Sequence, residues 1–390
     1  MATIKDKCAI AGIGYTKFSR NSGVTVKALA VECCLKAIKD AGLTVKDIDG
    51  IATYNMGDSP SPYAVSTSLG LPELRWNLEY HAGANGATST LANAAAAINA
   101  GYAKNVLVFR AMNGRSGLRL GGTGESLYSG GSEQFCVPFG LTTFPQAVAT
   151  AARRHMIKYG TTAKQLAAVA ITCRENAMLN ERAVMRKPLS YEDYINSPMI
   201  VDPFRLYDCC QETDGGVAVV ITSAESAKDL KQTPVYLMAA ANGAGAQSGD
   251  FFGKTTSFWP EWPELADTYA ITMGKQLFKT AGITPQDVDV AELYDCFTIE
   301  PIMQLEDFGF CKKGEAGAFV EAGEIKLGGK LPINTHGGLL SEGYIHGFNH
   351  VLEAVEQLRG QSGERQVKDA EIAFVAGYCG PVANAIILRR

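Results

Sequence analysis

Side chains able to move protons or stabilise an oxyanion gather in four short stretches of this 390-residue chain. Glu292-Leu293-Tyr294-Asp295-Cys296-Phe297 follows an apolar run that reads as a buried strand. The end of such a strand is where open α/β sheets place their reactive groups. Asn334-Thr335-His336-Gly337-Gly338-Leu339-Leu340-Ser341-Glu342-Gly343-Tyr344-Ile345-His346-Gly347 is a polar loop dense in glycine, so its backbone approaches something closely. Gly83-Ala84-Asn85-Gly86-Ala87-Thr88-Ser89 opens an Ala-rich helix whose unpaired N–H groups and partial positive charge suit an oxyanion. Thr88 and Ser89 read as helix caps there. Gly377-Tyr378-Cys379-Gly380-Pro381 offers a thiol and a backbone N–H. Each stretch has a plain alternative: a packed tyrosine with its hydroxyl satisfied, or a structural turn.

Two other patterns are set aside. His346 and His350 stand four apart, as metal-binding pairs can, but no third ligand of suitable spacing accompanies them, and no metal is expected. Gly12-Ile13-Gly14 follows a strand but lacks the third glycine and the acidic residue of a dinucleotide fingerprint.

The elements that must carry these stretches come in two similar sets. Residues 41–49 (Ala-Gly-Leu-Thr-Val-Lys-Asp-Ile-Asp) and 281–289 (Ala-Gly-Ile-Thr-Pro-Gln-Asp-Val-Asp) keep Ala-Gly, Thr and both Asp in register. Each follows a helical run, 25–40 and 265–280, and leads into an apolar strand. A unit used twice points to two similar halves. The first half reads as strand 8–13, helix 25–40, strand 48–54, helix 89–101, strand 105–111 and strand 217–222. The second reads as strand 234–240, helix 265–280, strand 288–294, helix 346–358 and strands 371–376 and 382–388. Strands alternating with helices in this way predict α/β units with buried, largely parallel strands. We expect an N-terminal half over 1–225 and a C-terminal half over 226–390. The first half is longer, with an excursion over about 112–205 of the kind that sits over a site. Residues 114–131 hold seven glycines, and 251–263 read as an aromatic, Pro-punctuated loop: an apolar wall for substrate, a partner-docking patch, or a rigid loop folded on its own aromatics.

Bulk properties exclude several classes. A net charge of −4 argues against nucleic acid or an anionic membrane as the main partner, and no apolar run approaches a bilayer span. Ten cysteines without a C-x-x-C fit small buried hydrophobes in a reduced, cytoplasmic protein.

Together the duplicated halves, the inserted excursion and the order of the four stretches resemble the thiolase superfamily, in particular its non-decarboxylating, sterol-carrier-protein type. Tyr294-Asp295-Cys296-Phe297-Thr298 resembles a His-Asp-Cys-Phe block. Asn334 to Tyr344, continued by Gln357-Leu358-Arg359-Gly360, resembles an Asn-x-x-Gly-Gly…Gly-His-Pro block. The resemblance implies duplicated αβαβα layers with an inserted loop domain. The departures alter the chemistry: Ala84 or Asn85 lies where such thiolases keep a nucleophilic cysteine, Tyr294 stands in the block that carries their oxyanion-hole His or Asn, and Tyr344 stands where they have the Gly-His-Pro histidine. Only Cys379 falls where many of them keep an acid/base cysteine. Without its nucleophile a thiolase forms no acyl-enzyme.

This altered set is similar to the actinobacterial lipid-transfer-protein thiolases that act as steroid side-chain aldolases. The resemblance implies retro-aldol cleavage of a β-hydroxyacyl-CoA, a 17-hydroxy steroid with a three-carbon CoA side chain, to a 17-ketosteroid and propionyl-CoA. No covalent cofactor is implied; CoA is part of the substrate. It also implies a homodimer core and a partner with an OB fold and a zinc ribbon, the only expected holder of zinc. A retro-aldol needs a base, enolate stabilisation and an acid, but no covalent intermediate. Tyr294 and Tyr344 take the proton-transfer and enolate-binding roles. A free phenol has a pKa of about 10, so a tyrosinate base needs a cation, a strong donor or a relay. Backbone N–H groups near Asn85 and Gly380 would hold an oxyanion. His346 orients Tyr344 or is a plain surface histidine, and Cys379 is a proton donor or a leftover. The competing readings are a thiolase using Cys296 or Cys379 and a catalytically inactive acyl-CoA or lipid-binding scaffold.

Overall fold

The computed structural model describes residues 4–117, 137–245, 264–377 and 379–390. Most of the glycine-dense stretch, the aromatic loop over 251–263 and Tyr378 lie outside the described residues.

In chain order the elements of the first half are β1 (Cys8–Tyr15), α1 (Val26–Asp40), β2 (Gly50–Asn55), α2 (Pro62–Leu69), β3 (Trp76–His81), α3 (Gly86–Asn99) and β4 (Asn105–Asn113). The excursion follows, with α4 (Phe144–Tyr159), α5 (Ala163–Met178), α6 (Tyr191–Ile195), β5 (Met199–Val201) and β6 (Phe204–Arg205). Then come β7 (Asp214–Ser223), α7 (Ala224–Ala227) and β8 (Val235–Ala244). The remainder holds α8 (Ala270–Ala281), β9 (Val290–Glu292), α9 (Ile299–Asp307), α10 (Ala316–Glu321), α11 (Gly338–Ser341), α12 (Phe348–Arg359), β10 (Ile372–Ala376) and β11 (Val382–Arg389).

The repeated sequence folds the same way twice. Gly42 and Gly282 end α1 and α8 at φ 77° and 76°. The Thr that follows each glycine then closes a one-turn 3-10 helix. The amide and hydroxyl of Thr44 reach Asp47 Oδ2 at 2.8 and 2.7 Å, and those of Thr284 reach Asp287 Oδ2 at 2.7 and 2.8 Å. The last Asp of each repeat then pins the start of a strand. Asp49 accepts from the amides of Lys104 and Asn105 before β4, and Asp289 from those of Glu371 and Ile372 before β10.

The strands lie in the order β3-β2-β4-β7-β1-β8-β11-β10-β9. Outward from the β1–β8 junction the two wings mirror each other: β1, β7, β4, β2, β3 against β8, β11, β10, β9, with a lone parallel bridge between Ala291 and Ile333 where a further strand would fall. The junction itself is only two residue pairs long, so the wings form two layers. Helix α1 covers the outer face of β1, β4 and β7; α3 and α12 lie between the layers; α8 covers β8 and β11. These are the five αβαβα layers expected. The expectation of largely parallel strands is corrected. Among the named strands of the described residues only β2–β3, β2–β4 and β9–β10 are parallel, because β1 and β7 in one wing, and β8 and β11 in the other, run against their neighbours.

Packing explains several sequence features. Helix α1 buries Leu29, Ala30, Cys33, Cys34, Ala37 and Ile38, one stripe at helical spacing. It lies so close to β1 that a Cβ on Gly12 or Gly14 would stand 2.2 Å from the Ala37 carbonyl or 2.3 Å from that of Cys33. The Gly-x-Gly pair thus serves helix–strand contact. Helices α3 and α12 are buried almost all round, and Leu91, Ala94 and Ala95 share one core with Val351, Leu352 and Val355. The helix over 265–280 starts later than expected, at Ala270, and α2, β3 and α9 were not foreseen.

The excursion grips the polar loop. Asn176 on α5 donates to the carbonyls of Ile333 and Asn334 at 3.1 Å each, and Asn180 to that of His336 at 2.8 Å.

Candidate active site

Tyr294 lies two residues beyond β9, where the strand end is clamped. Asn334, at φ 46°, accepts the Leu293 amide at 2.7 Å and donates to the Leu293 carbonyl at 2.8 Å. Gln304 on α9 holds the Tyr294 carbonyl at 2.6 Å. Asp295 accepts the Leu339 amide at 2.8 Å at the start of α11. Gly338, at φ 63°, sits so close that a Cβ there would be 2.0 Å from Asp295 Oδ2, which is why the loop needs glycine at this point.

This scaffold brings the two tyrosines together. The hydroxyls of Tyr294 and Tyr344 hydrogen-bond at 2.8 Å, either one donating. The Tyr344 backbone is held by Thr213 Oγ1 at 3.2 Å. Tyr294 is buried, whereas Tyr344 keeps some exposure. Burial, then the neighbouring Tyr344, Cys296 and Glu300, pushes Tyr294 well above the ordinary phenol range. Burial, then Cys210 and Cys296, does the same to Tyr344, with the Tyr294 hydrogen bond acting the other way. The resting pair is therefore two neutral phenols, and no tyrosinate stands ready.

His346 is 3% exposed, which overturns the surface-histidine reading. Its ring meets that of Tyr344 edge-on, with centroids 4.9 Å apart. Arg110 donates to its Nδ1 at 2.7 Å and to Asp58 at 2.6 Å, and the Tyr54 hydroxyl donates to its carbonyl at 2.9 Å. Since Nδ1 accepts, the proton of the neutral ring is on Nε2. Burial and the Arg110 charge push His346 down to about 3. Burial alone would raise Asp58, but Arg110 and His346 pull it to about 2. Arg110 and Asp58 carry no local motif and were not foreseen.

His350 does not face the same partners as His346. It lies beside Tyr294, ring centroids 6.4 Å apart, near Asp295, Glu292 and His336. Burial alone would lower His336, but Glu342 and Glu292 raise it to about 9. Glu300, also unforeseen, is buried beside Cys296 and Phe297, and burial pushes it up to about 8.

The thiol and backbone candidates fare differently. Cys379 is buried in the turn between β10 and β11, its Sγ bonded to the Gly377 carbonyl at 3.4 Å, and burial holds it well above the ordinary thiol range. Cys296 is raised in the same way by burial and Glu300. Gly380 is corrected as an oxyanion donor: its N–H is committed to the Val382 carbonyl at 2.8 Å. Asn85 stands at the N-terminus of α3 with a buried side-chain oxygen lacking a hydrogen-bond partner. Thr88 and Ser89 are not caps but lie inside the first turns, Thr88 bonded to Asn384 and Ser89 to the Asn85 carbonyl at 2.7 Å.

A family described as thiolase C-terminal domain-like matches residues 254–389. The chain is 42% identical, over 98% of its own length and 100% of the relative's, to 17-hydroxy-3-oxo-4-pregnene-20-carboxyl-CoA lyase of Mycobacterium tuberculosis. It is 39% identical to the steroid side-chain-cleaving aldolase of Thermomonospora curvata, over 99% of each chain. The solved Ltp2-ChsH2(DUF35) aldolase superposes with a TM-score of 0.92 at 39% identity, covering 100% of this chain and 99% of that one.

Proposed function

We infer that the paired phenols serve carbon–carbon bond scission, because the chain belongs to the thiolase superfamily and, within it, to the steroid side-chain-cleaving aldolases. The enzyme is a lyase acting on a CoA thioester. Its substrate is a steroid bearing a hydroxyl β to the thioester carbonyl, cleaved to a 17-ketosteroid and propionyl-CoA. The hydroxyl proton leaves, the bond between the carbinol carbon and the α-carbon breaks, and its electron pair becomes a thioester enolate. A proton delivered to the α-carbon completes propionyl-CoA. No oxidant, reductant or acyl-enzyme enters this balance.

The observation that carries the assignment of roles is the 2.8 Å hydrogen bond between the Tyr294 and Tyr344 hydroxyls. Two neutral phenols in line form a relay. One phenol accepts the substrate hydroxyl proton as its own passes to the other, and the proton the other gives up is the one delivered to the α-carbon, so no free tyrosinate is needed; until then that O–H stabilises the enolate oxygen as charge develops. His346, neutral and held by Arg110, packs on the Tyr344 ring and fixes its direction. The buried, raised thiols of Cys296 and Cys379 speak against a displaced thiolase nucleophile. We assign Cys379 no more than a proton-donor role, and place the remaining oxyanion contact at the backbone beside Asn85.

The partner is part of the proposal. A DUF35 protein accompanies the aldolase of the structure described as Ltp2-ChsH2(DUF35), and we propose a counterpart here, with an OB fold and a zinc ribbon that holds its own zinc. A homodimer core, a cytoplasmic site of action and a division of the chain near residue 225 complete the proposal. No described helix is long and apolar enough to cross a membrane.

The test is to incubate the complex with a 17-hydroxy steroid carrying a three-carbon CoA side chain. Free 17-ketosteroid and propionyl-CoA in equal amounts are expected. Acetyl transfer from acetyl-CoA with a stable acyl-enzyme would instead make it a thiolase, and binding without turnover a scaffold.

A further inference from the structure

Beside the Tyr294 ring lies a cluster that the relay does not use. Glu292, His336 and His350 are fully buried, and one ligand atom from each falls within 4.8 Å of the others. Glu292 Oε2 stands 3.0 Å from His336 Nδ1 and 3.7 Å from His350 Nδ1. None of these three atoms has a hydrogen-bond partner of usable geometry. Buried polar atoms left so are rare and need an explanation. Bonds of about 2.0–2.2 Å in a tetrahedral shell place ligand atoms about 3.3–3.5 Å apart, between those two separations.

The far side of each ring has the arrangement that metal-ligating histidines show. His336 Nε2 faces Glu342 Oε2 at 3.5 Å, and His350 Nε2 faces Asp295 Oδ1 at 3.3 Å. Neither Nε2 makes a hydrogen bond to its carboxylate in this geometry; a short approach of each ring on metal binding would complete one and fix the tautomer that leaves Nδ1 to bind. These carboxylates are themselves held: Glu342 by Asn180, Arg182 and Asn349, Asp295 by the Leu339 amide. Glu292 is anchored through its other oxygen by Thr335 at 3.2 Å, which leaves Oε2 directed at the histidines.

We propose that Glu292, His336 and His350 bind a divalent transition-metal ion, zinc by the chemistry of the donors, with water completing its shell. The ion is structural. It ties the end of β9, the polar loop and the first turn of α12 together at the residue pair that precedes Tyr294, and so sets the position of one phenol of the relay. It does not touch substrate.

Because the proposed partner holds zinc of its own, the test locates the metal as well as counting it. Crystals of the complex are measured above and below the zinc absorption edge. An anomalous peak about 2.0–2.2 Å from all three ligand atoms is expected. In solution, dipicolinate should lower the Tm of the isolated chain and added zinc should restore it. Glu342→Gln, which keeps all three ligands, should weaken zinc binding by about 10–100-fold, and His350→Gln should abolish it. If His350→Gln fails to fold, the measurements on the unaltered chain stand alone. No peak at this point after soaking in zinc, together with a Tm indifferent to chelator and metal, overturns the proposal. Neither readout depends on steroid cleavage, so failure here leaves the aldolase reading intact, and the reverse.

Discussion

The hydroxyls of Tyr294 and Tyr344 bond to each other, and this sets what the removal of either should cost. Tyr344→Phe leaves the buried Tyr294 hydroxyl short of that partner, a loss of about 1 kcal/mol in stability. The catalytic loss should be far larger, about 10²–10⁴-fold for a group that moves a proton in the transition state. Tyr294→Phe should behave likewise. Both variants should unfold near the parent temperature, and product formation should separate them from it; full activity in both would end the relay assignment. Glu300 makes a second, opposite case. Its folded-state pKa of about 8 lies above the unfolded carboxylate value near 4.3, so the folded protein loses stability as pH rises between the two. Glu300→Gln mimics the protonated acid and should raise Tm at pH 8 more than at pH 5 by calorimetry. An equal shift at both would mean the carboxyl is not perturbed. The tyrosines could be read from the sequence because each sits in a block with a fixed local pattern. Glu300, Arg110 and Asp58 could not, since their importance comes from groups far away in sequence, as with Asp58 and His346.

At the scale of elements, what the sequence encodes is periodicity and stop signals, and these carried through. The stripe Leu29–Ile38, the glycines ending α1 and α8 and the Thr–Asp turns after them all fold as their local chemistry dictates. Strand direction is different. A buried apolar strand reads the same either way along, so nothing local announced that β7 and β11 run against their neighbours. Strand β3 escaped notice because it alternates half-buried and exposed positions and includes Glu79 and His81. The Gly12-Ile13-Gly14 pair was legible as unusual but its reason was not, since it depends on the depth to which α1 settles. Gly14→Ala would place a methyl 2.3 Å from the Cys33 carbonyl. Forcing α1 outward should cost about 1–3 kcal/mol, read as a lowered urea midpoint with unchanged m. Gly101→Ala is no control here because its positive φ adds strain of its own; Ala9→Gly on the same strand is the better comparison.

Across the whole molecule the two halves are joined at the site by a buried chain of Asp58, Arg110 and His346, with Tyr54 bonded to the His346 carbonyl. The first, second and fourth come from the N-terminal half and His346 from the C-terminal half, so their protonation couples the catalytic pocket to the cohesion of the fold. His346 titrates near 3 when folded and near 6.5 when unfolded. Between those values the unfolded chain binds the extra proton, so stability rises with pH and is lost on acidification. Asp58, near 2 when folded, is paired at all higher pH and adds to the same trend below about 4. One such proton corresponds to a slope of about 1.4 kcal/mol per pH unit. Glu300 acts with the opposite sign over the same range, so the His346 share is read as the difference in slope between the parent and a His346 variant in urea unfolding at pH 6.5, 5.5 and 4.5. His346→Asn keeps an acceptor for Arg110 where Nδ1 stood, and Asn tolerates the φ of 49° found there. It should lower the slope of stability against pH by about one proton without removing the Arg110–Asp58 pair. Arg110→Met, which strands Asp58 as a buried unpaired charge, should instead cost about 3–5 kcal/mol at neutral pH. If His346→Asn leaves the slope unchanged, the proton that loosens the halves in acid binds elsewhere.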